Sequence, residues 1–332
     1  MRKLILIAGG ALAIYIVIVL AIAVIPAIEL SKTPAGPGVQ PLSPLQLEGR
    51  KVFASNGCDY CHTQQVRPLG EDKEFGRPSA PGDFAYQTPE LLGSERTGPD
   101  LTNVGVTKSS DVWQYIHLYD PRAVVPESIM PNFKFLFEVL PALPPGETAV
   151  PVPAAFAPKQ GVVVPTQQAK ALVAYLLSLK QPPIPGYQTT SATGGAPAAS
   201  PPAAMTAAAT APGAAPAAGF AYDAARGQAL FTSSCAACHQ ATGEGIPGAF
   251  PPLKGNGAVN DADATLHIHT VLFGAHGVTI GGVAYGGAMP PFGGQLSDAD
   301  IATIIDYERS SWGNHAKQVT PAEVAAVRAK GQ

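Results

Sequence analysis

The sequence predicts a mainly α-helical protein: one N-terminal membrane-spanning helix, then two small helical domains separated by a low-complexity linker. Three observations carry that prediction. Leu4 to Ile28 is an uncharged, apolar run of 25 residues. Residues 181–222 contain no charged residue and consist mostly of Ala, Pro, Gly, Ser and Thr. The sequence on either side of that stretch carries a degenerate repeat, in which G-x-x-x-F leads into C-x-x-C-H and, later, into M-P-x-F.

The composition agrees. Charged residues are 14% of the 332, against roughly 25% in soluble domains. Gly (35) and Pro (34) are abundant, as membrane and linker material around smaller folded units would make them. The net charge is −3, and no run of Lys or Arg is long enough to track a phosphate backbone. Nucleic acid is therefore not an expected partner.

The apolar run is long enough to span a bilayer core, which needs about 20 residues of helix. The competing reading is a cleaved signal peptide behind Arg2 and Lys3, but apolar signal regions reach only ~7–15 residues. The run is expected to remain as an anchor. Arg2 and Lys3 keep its start cytoplasmic and send the chain after Glu29 outward. The expected location is the bacterial inner membrane, single-pass, with the later domains on the periplasmic side. Pro26 lies near the outer end, where a lost backbone hydrogen bond costs least.

Four segments follow from this reading: 1–43, anchor and short outer segment; 44–180, first domain; 181–222, linker; 223–332, second domain. The linker lacks the large apolar residues needed for a core, and as a flexible coil it would reach roughly 35 Å. Each domain is expected to close with a helix. The first runs from Thr166 to Lys180, with Ala169, Leu172, Val173, Leu176 and Leu177 at helical spacing behind an N-cap Thr. The second runs from Ser297 to Ser311, with Ser297 and Asp300 at its start and Ile301, Ile304 and Ile305 as its apolar face.

The chemistry lies in the cysteines. Cys58, Cys61, Cys235 and Cys238 are the only four, and both pairs are followed directly by histidine, His62 and His239. C-x-x-C-H is the signature of c-type haem attachment. Two thiols one helical turn apart can reach both vinyl groups of a porphyrin, and the adjacent imidazole then meets the iron. A C-x-x-C redox pair needs no following His. A four-cysteine zinc site would need two pairs 177 positions apart to converge. The expected cofactors are two covalently bound haem c groups.

The opposite axial ligand follows largely by elimination. Of four methionines, Met1 is the start and Met205 lies in the linker, which leaves Met130 and Met289, one per domain and each in M-P-x-F. Methionine opposite histidine raises the reduction potential and leaves the iron no open position. His267, His269 and His276 are the alternative sixth ligands in the second domain. His117 reads as a surface, core or propionate-side histidine, and His315 as solvated. A metal-bound imidazole also donates its other N–H to an oxygen. Pro99 and Pro251 are the candidate carbonyls, 37 and 12 residues after their histidines, so the first domain carries an insertion near residues 63–97.

Further motifs surround these residues: PLQLEGR from Pro44, GCDYCHTQQVRP from Gly57, GSERTGPDL from Gly93, Trp113, His117-Leu118, and DPRAVVPESIMP from Asp120. In them, about residues 1–140 resemble the mono-haem, membrane-anchored cytochrome c subunit of cbb3-type haem–copper oxidases. The resemblance implies a class I cytochrome c fold with His62 and Met130 as axial ligands. It also implies Thr63 to Pro68 and Arg96 as candidates for the haem edge or a subunit contact. The second domain is similar to generic class I cytochrome c modules, including the ending YERSSWGN from Tyr307. That family's subunit normally stops after one haem domain, so the fusion is a departure from its pattern.

The function expected from all this is electron transfer in a terminal oxidase, with no catalytic residue in this chain. The implied partners are a catalytic haem–copper subunit, further membrane subunits, and a soluble cytochrome c or similar donor. The alternatives are the cytochrome subunit of a nitric oxide reductase and an autonomous tethered carrier. A dihaem peroxidase needs an open iron, against which both methionines argue. The Pro- and Val-rich segment from Leu140 to Pro165 has no reading from sequence.

Overall fold

The computed structural model describes residues 2–182 and 220–331, and most of the expected linker lies outside the described residues. The chain divides into two compact units, Met1–Lys108 with Pro165–Thr189 and Ser109–Val164 with Thr190–Gln332. In chain order the elements are α1 (Arg2–Val19), α2 (Ile25–Ser31), α3 (Pro44–Ser55), α4 (Val104–Thr107), α5 (Asp111–Tyr119), β1 (Phe137–Leu140), β2 (Val162–Pro165) and α6 (Gln167–Ser178). They are followed by α7 (Ala224–Ser234), α8 (Ala236–His239), α9 (Gly257–Asn260), α10 (Thr265–Phe273), β3 (Thr279–Ile280), β4 (Val283–Ala284), α11 (Asp298–Ser310) and α12 (Pro321–Lys330). The protein is mainly helical. The described strands form two short pairs, β1 with β2 and β3 with β4.

The first unit begins with the apolar helix. α1 runs through a π-helical turn at Leu20–Val24 into α2. The widened turn directly precedes Pro26, which has no N–H for the carbonyl four residues back and whose ring crowds that carbonyl. Ile5–Ser31 is long and apolar enough to cross a membrane. Ile7 and Ile22 on it are 73% and 72% exposed, as lipid-facing side chains would be. After this helix the chain is pinned rather than loose. Gly36 N–H donates to the Gly82 carbonyl at 3.0 Å, and a Cβ on Gly82 would stand 2.9 Å from the Gly36 nitrogen.

α3 starts in a capping box. Ser43 Oγ accepts from Gln46 N–H at 3.3 Å, and the Gln46 side chain accepts from Ser43 N–H at 2.8 Å. The helix crosses α6 at close quarters. A Cβ on Gly49 would strike the Ala171 carbonyl and come within 2.8 Å of Tyr175 Cβ. One turn on, Phe53 meets the Tyr175 ring edge-on at 5.6 Å, and both are buried.

The second unit repeats this crossing with α7 and α11. A Cβ on Gly227 would lie 2.9 Å from Tyr307 Cβ and 3.0 Å from the Thr303 carbonyl. Phe231 then packs on Tyr307 at 5.3 Å and Trp312 at 5.0 Å. Ile268, Val271, Leu272, Ile301, Ile305 and Val324 complete the core beneath α10, α11 and α12. Arg309 is buried inside it because its guanidinium donates to the carbonyls of Val259, Asp261 and Lys317 at 2.7–2.9 Å. The unit also contains residues 109–164, in which α5 is capped by Ser110 and β1 and β2 bracket the Pro- and Val-rich segment.

The two helices expected to close the domains start where the sequence placed them, with Thr166 and Ser297 as N-caps. Both end slightly early, at Ser178 and Ser310. The G-x-x-x-F of the repeat thus encodes one device twice: a glycine for the approach and a phenylalanine to fill the crossing. Gly49→Val and Gly227→Val should each lower stability by about 2–3 kcal/mol through overpacking. Chemical denaturation is the measurement, and a loss under about 0.5 kcal/mol would show that the helices move apart freely.

Candidate haem attachment sites

At the first site, α3 stops at Asn56, and Gly57 turns the chain through a left-handed conformation (φ 66°). The turn Cys58–Tyr60 follows, closed by Cys61 N–H and His62 N–H on the Cys58 carbonyl at 3.2 and 3.0 Å. Both thiols therefore leave the same helical turn. Before any attachment, burial, and then the neighbouring Asp59 carboxylate, push the Cys58 thiol up to about 12.

The structure brings His62 and Pro99 together, as the sequence proposed. Nδ1 of His62 lies 2.8 Å from the Pro99 carbonyl oxygen. A carbonyl can only accept, so Nδ1 carries the proton and Nε2 keeps its lone pair. Burial lowers the His62 pKa and favours this neutral form. Gly98 makes the approach possible, since a Cβ there would lie 2.8–2.9 Å from the two ring nitrogens. Gly93 (φ 80°) likewise leaves room for the Thr63 backbone.

Sequence reasoning missed what holds this loop. Asp72 is fully buried and receives two guanidinium groups, Arg96 Nη2 at 2.8 Å and Arg67 Nη2 at 2.8 Å. Arg96, chiefly, and Arg67 hold its carboxyl far below the usual carboxylate range. Arg96 Nε also donates to Thr63 Oγ1 at 2.7 Å, and Thr63 donates to Asp100 at 2.6 Å. Asp100 accepts as well from Gln65 N–H at 3.1 Å and Thr102 N–H at 2.8 Å. Arg96 is thus spent on joining the loop after His62 to the segment that carries Pro99. The signal was present as GSERTGPDL, but its partner Asp72 lies 24 residues earlier, in the insertion.

Met130 belongs to the second unit. It is half-buried, with its N–H on Ser128 Oγ at 3.2 Å. Its carbonyl accepts from Arg122 at 3.1 Å, and Arg122 in turn pairs with Asp120 at 3.0 Å. The DPRAVVPESIMP motif therefore folds on itself to place the methionine.

The second site lies wholly within the second unit. Cys235 ends α7 and opens α8, and Cys238 N–H and His239 N–H return to its carbonyl at 3.1 and 3.0 Å. His239 is buried, and its Nδ1–H donates to the Pro251 carbonyl at 2.9 Å. Burial lowers its pKa as at the first site. Gly245 (φ 65°) supports that loop: its N–H reaches the His239 carbonyl at 2.9 Å, and a Cβ would collide with Pro251. Met289 is bridged to Ala275 by two backbone hydrogen bonds of 2.7 and 3.1 Å and packs against the α10–α11 core.

Among the alternative ligands, His267 Nε2 is engaged with Glu308 at 2.7 Å in a buried pair. His269 is half-buried beside Phe273, and His276 is exposed. His117 stacks on Trp113 at 4.6 Å.

Paired thiols on one turn, a neutral imidazole with a free Nε2, and glycines cleared from the ring's surroundings fit a covalently attached haem at each site. That donor set, on two small helical units with an apolar N-terminal helix, defines an electron-carrying c-type cytochrome. Residues 2–143 match the family model "Cytochrome C oxidase, mono-heme subunit/FixO", and residues 224–312 match the cytochrome c model. Cytochrome c-552 of Thermus thermophilus is 38% identical over 122 residues, covering 34% of this chain and 80% of the relative. The cytochrome c subunit of gluconate 2-dehydrogenase from Pantoea cypripedii is 35% identical over 108 residues, 32% of this chain and 24% of that protein. The cytochrome c subunit of quinone alcohol dehydrogenase from Gluconobacter oxydans is 33% identical over 106 residues, 32% and 22% respectively. The chain belongs to the cytochrome c family, as a mono-haem oxidase-subunit domain fused to a second cytochrome c domain, and carries covalently bound haem c in both.

The Asp72 network gives a test. Asp72→Asn leaves two guanidinium groups without their buried counter-charge and should destabilise the first domain by about 3 kcal/mol. Because the folded pKa of Asp72 is depressed, its contribution is present above the ordinary carboxylate pKa, about 3.9, and fades as the pH falls below it. Denaturation series at pH 7 and pH 3 should therefore show the difference between wild type and variant shrinking in acid. An unchanged difference would mean that Asp72 is not the linked group.

Proposed function

We propose that this chain is the dihaem electron-transfer subunit of a membrane-bound haem–copper oxidase. Cys58 and Cys61 would hold one haem c and Cys235 and Cys238 the other, with His62 and Met130, and His239 and Met289, as the residues that would ligate the two irons. The haem supplies one-electron redox chemistry, and the chain supplies its attachment, orientation and potential. Pro99 and Pro251 fix the proximal imidazoles through Nδ1, which keeps Nε2 directed at the metal and raises its basicity. A methionine ligand, Met130 or Met289, would favour the reduced iron and close it to exogenous ligands.

The domains are 44–180 and 223–332, joined by 181–222 and anchored through residues 1–43. The anchor places both domains on the periplasmic face of the inner membrane. Electrons enter the second domain from a soluble cytochrome or similar donor, pass to the first, and leave for the catalytic subunit. The observation that carries the oxidase assignment is the match of residues 2–143, apolar helix included, to an oxidase mono-haem subunit. The net charge of the second domain, nine acidic against six basic residues, adds a weak attraction for a basic donor at low salt.

Met130→Ala and Met289→Ala should each abolish one of two thioether–ferric charge-transfer bands in the oxidised spectrum. An unchanged spectrum in Met289→Ala would transfer the sixth position to a nearby histidine. Deleting residues 181–332 should slow reduction of the oxidase by its native donor at least tenfold, while a small artificial donor still delivers electrons. Full turnover with the native donor after that deletion would refute the order of transfer.

A further inference from the structure

α5 is largely buried, with Asp111 exposed and Tyr115 and His117 half-buried. Val112, Ile116 and Tyr119 form one stripe along it, Gln114 and Leu118 a second, and Trp113 lies between them, all at most 9% exposed. A helix at the edge of a small domain ordinarily leaves one face to water. Trp113 shows what covers the third side. Its indole N–H donates to the Ala237 carbonyl at 3.2 Å. Ala237 is one of the two residues between Cys235 and Cys238, in the attachment turn of the second site. It lies in a one-turn helix, whose carbonyls have no intrahelical partner of their own. An indole can only donate, and buried tryptophans seek such an acceptor. His117 stacks on the indole at 4.6 Å, nearly parallel to it (12°).

A second contact points the same way. A Cβ on Gly248, in the loop between His239 and Pro251, would sit 3.7 Å from Pro151 Cβ. Pro151 lies in the segment bracketed by β1 and β2, for which the sequence offered no purpose. Residues 109–164 therefore touch the second cytochrome domain at its attachment turn and at its proximal loop.

We infer that residues 109–164 are an internal docking seat for the second cytochrome domain, with Trp113 and Pro151 as its contacts. The seated position is the one in which the second domain discharges. One electron leaves the second domain, which is oxidised, and reaches the first, which is reduced; no bond or proton is exchanged. Because Met130 also belongs to this segment, the same lobe that carries the proposed ligand of the first haem receives the turn that carries the second. The inference rests on the two-haem reading above.

The test uses the full-length protein in detergent, with a specific protease site inserted among residues 190–210. After cleavage, the C-terminal haem fragment should remain with the membrane-anchored part on gel filtration at micromolar concentration. Trp113→Phe keeps the ring and its stacking but removes the N–H, and should weaken retention about fivefold. Pro151→Arg alters the other contact without touching α5 and should also weaken it. In the uncut protein both variants should slow electron equilibration between the two haems while leaving both spectra unchanged. Separation of the wild-type fragments, or variants that retain the fragment as wild type does, would overturn the seat. Absence of covalent haem from either fragment would instead overturn the two-haem reading.

Discussion

The hydrogen bond from a histidine Nδ1 to a proline carbonyl is the contact on which the rest of this structure depends. It settles the tautomer, and the tautomer settles which nitrogen is free for a metal. Everything around His62 and His239 then serves to keep a carbonyl at that point. The loop must come back over the ring, so it needs Gly98 or Gly245 where a Cβ would collide. It must also resist being pulled away, and here the two domains differ. The second domain has a short return of 12 residues and needs little more than backbone hydrogen bonds. The first has a return of 37 residues and secures it with the Asp72, Arg96 and Asp100 charge network. A longer loop has more conformations to suppress, and a buried carboxylate shared by two guanidinium groups is a strong way to suppress them.

The duplicated helix crossing plays the corresponding part for the thiols. The cysteines follow immediately from α3 and α7, so any tilt of these helices would move them. Gly49 and Gly227 let the helices approach α6 and α11 until backbone meets side chain, and Phe53 and Phe231 lock the crossing. Packing at this density transmits displacement rather than absorbing it. The attachment turns thereby inherit the rigidity of two helix pairs.

What could be read from the sequence is what local chemistry dictates. C-x-x-C-H followed by a proline in a glycine-containing loop indicates an imidazole and its acceptor, and the pairs His62–Pro99 and His239–Pro251 do face each other. N-caps at Thr166 and Ser297 were equally legible, because a hydroxyl before a run of helical periodicity has one efficient use. α12 was overlooked although Thr320 and Glu323 spell a capping box. Other features were illegible because they depend on distant residues. Nothing near Asp72 announces that Arg96 will reach it, and the burial of six of the nine residues of α5 cannot be deduced from its sequence alone. The segment after Leu140 has no reading from sequence, since its β-bracket exists only once β1 and β2 have met.

The bond between Gly36 and Gly82 changes how the membrane helix should be regarded. A dozen free residues after an anchor would make the first domain a ball on a string, sampling a hemisphere of orientations above the bilayer. Pinned halfway along, the same residues act as a bracket. The free tether between the apolar helix and the first domain is thereby shortened. Under the oxidase-subunit reading proposed above, a shorter tether would narrow the orientations from which the domain could meet a membrane partner. Part of the orientational entropy of such an encounter would then be lost on folding rather than on meeting.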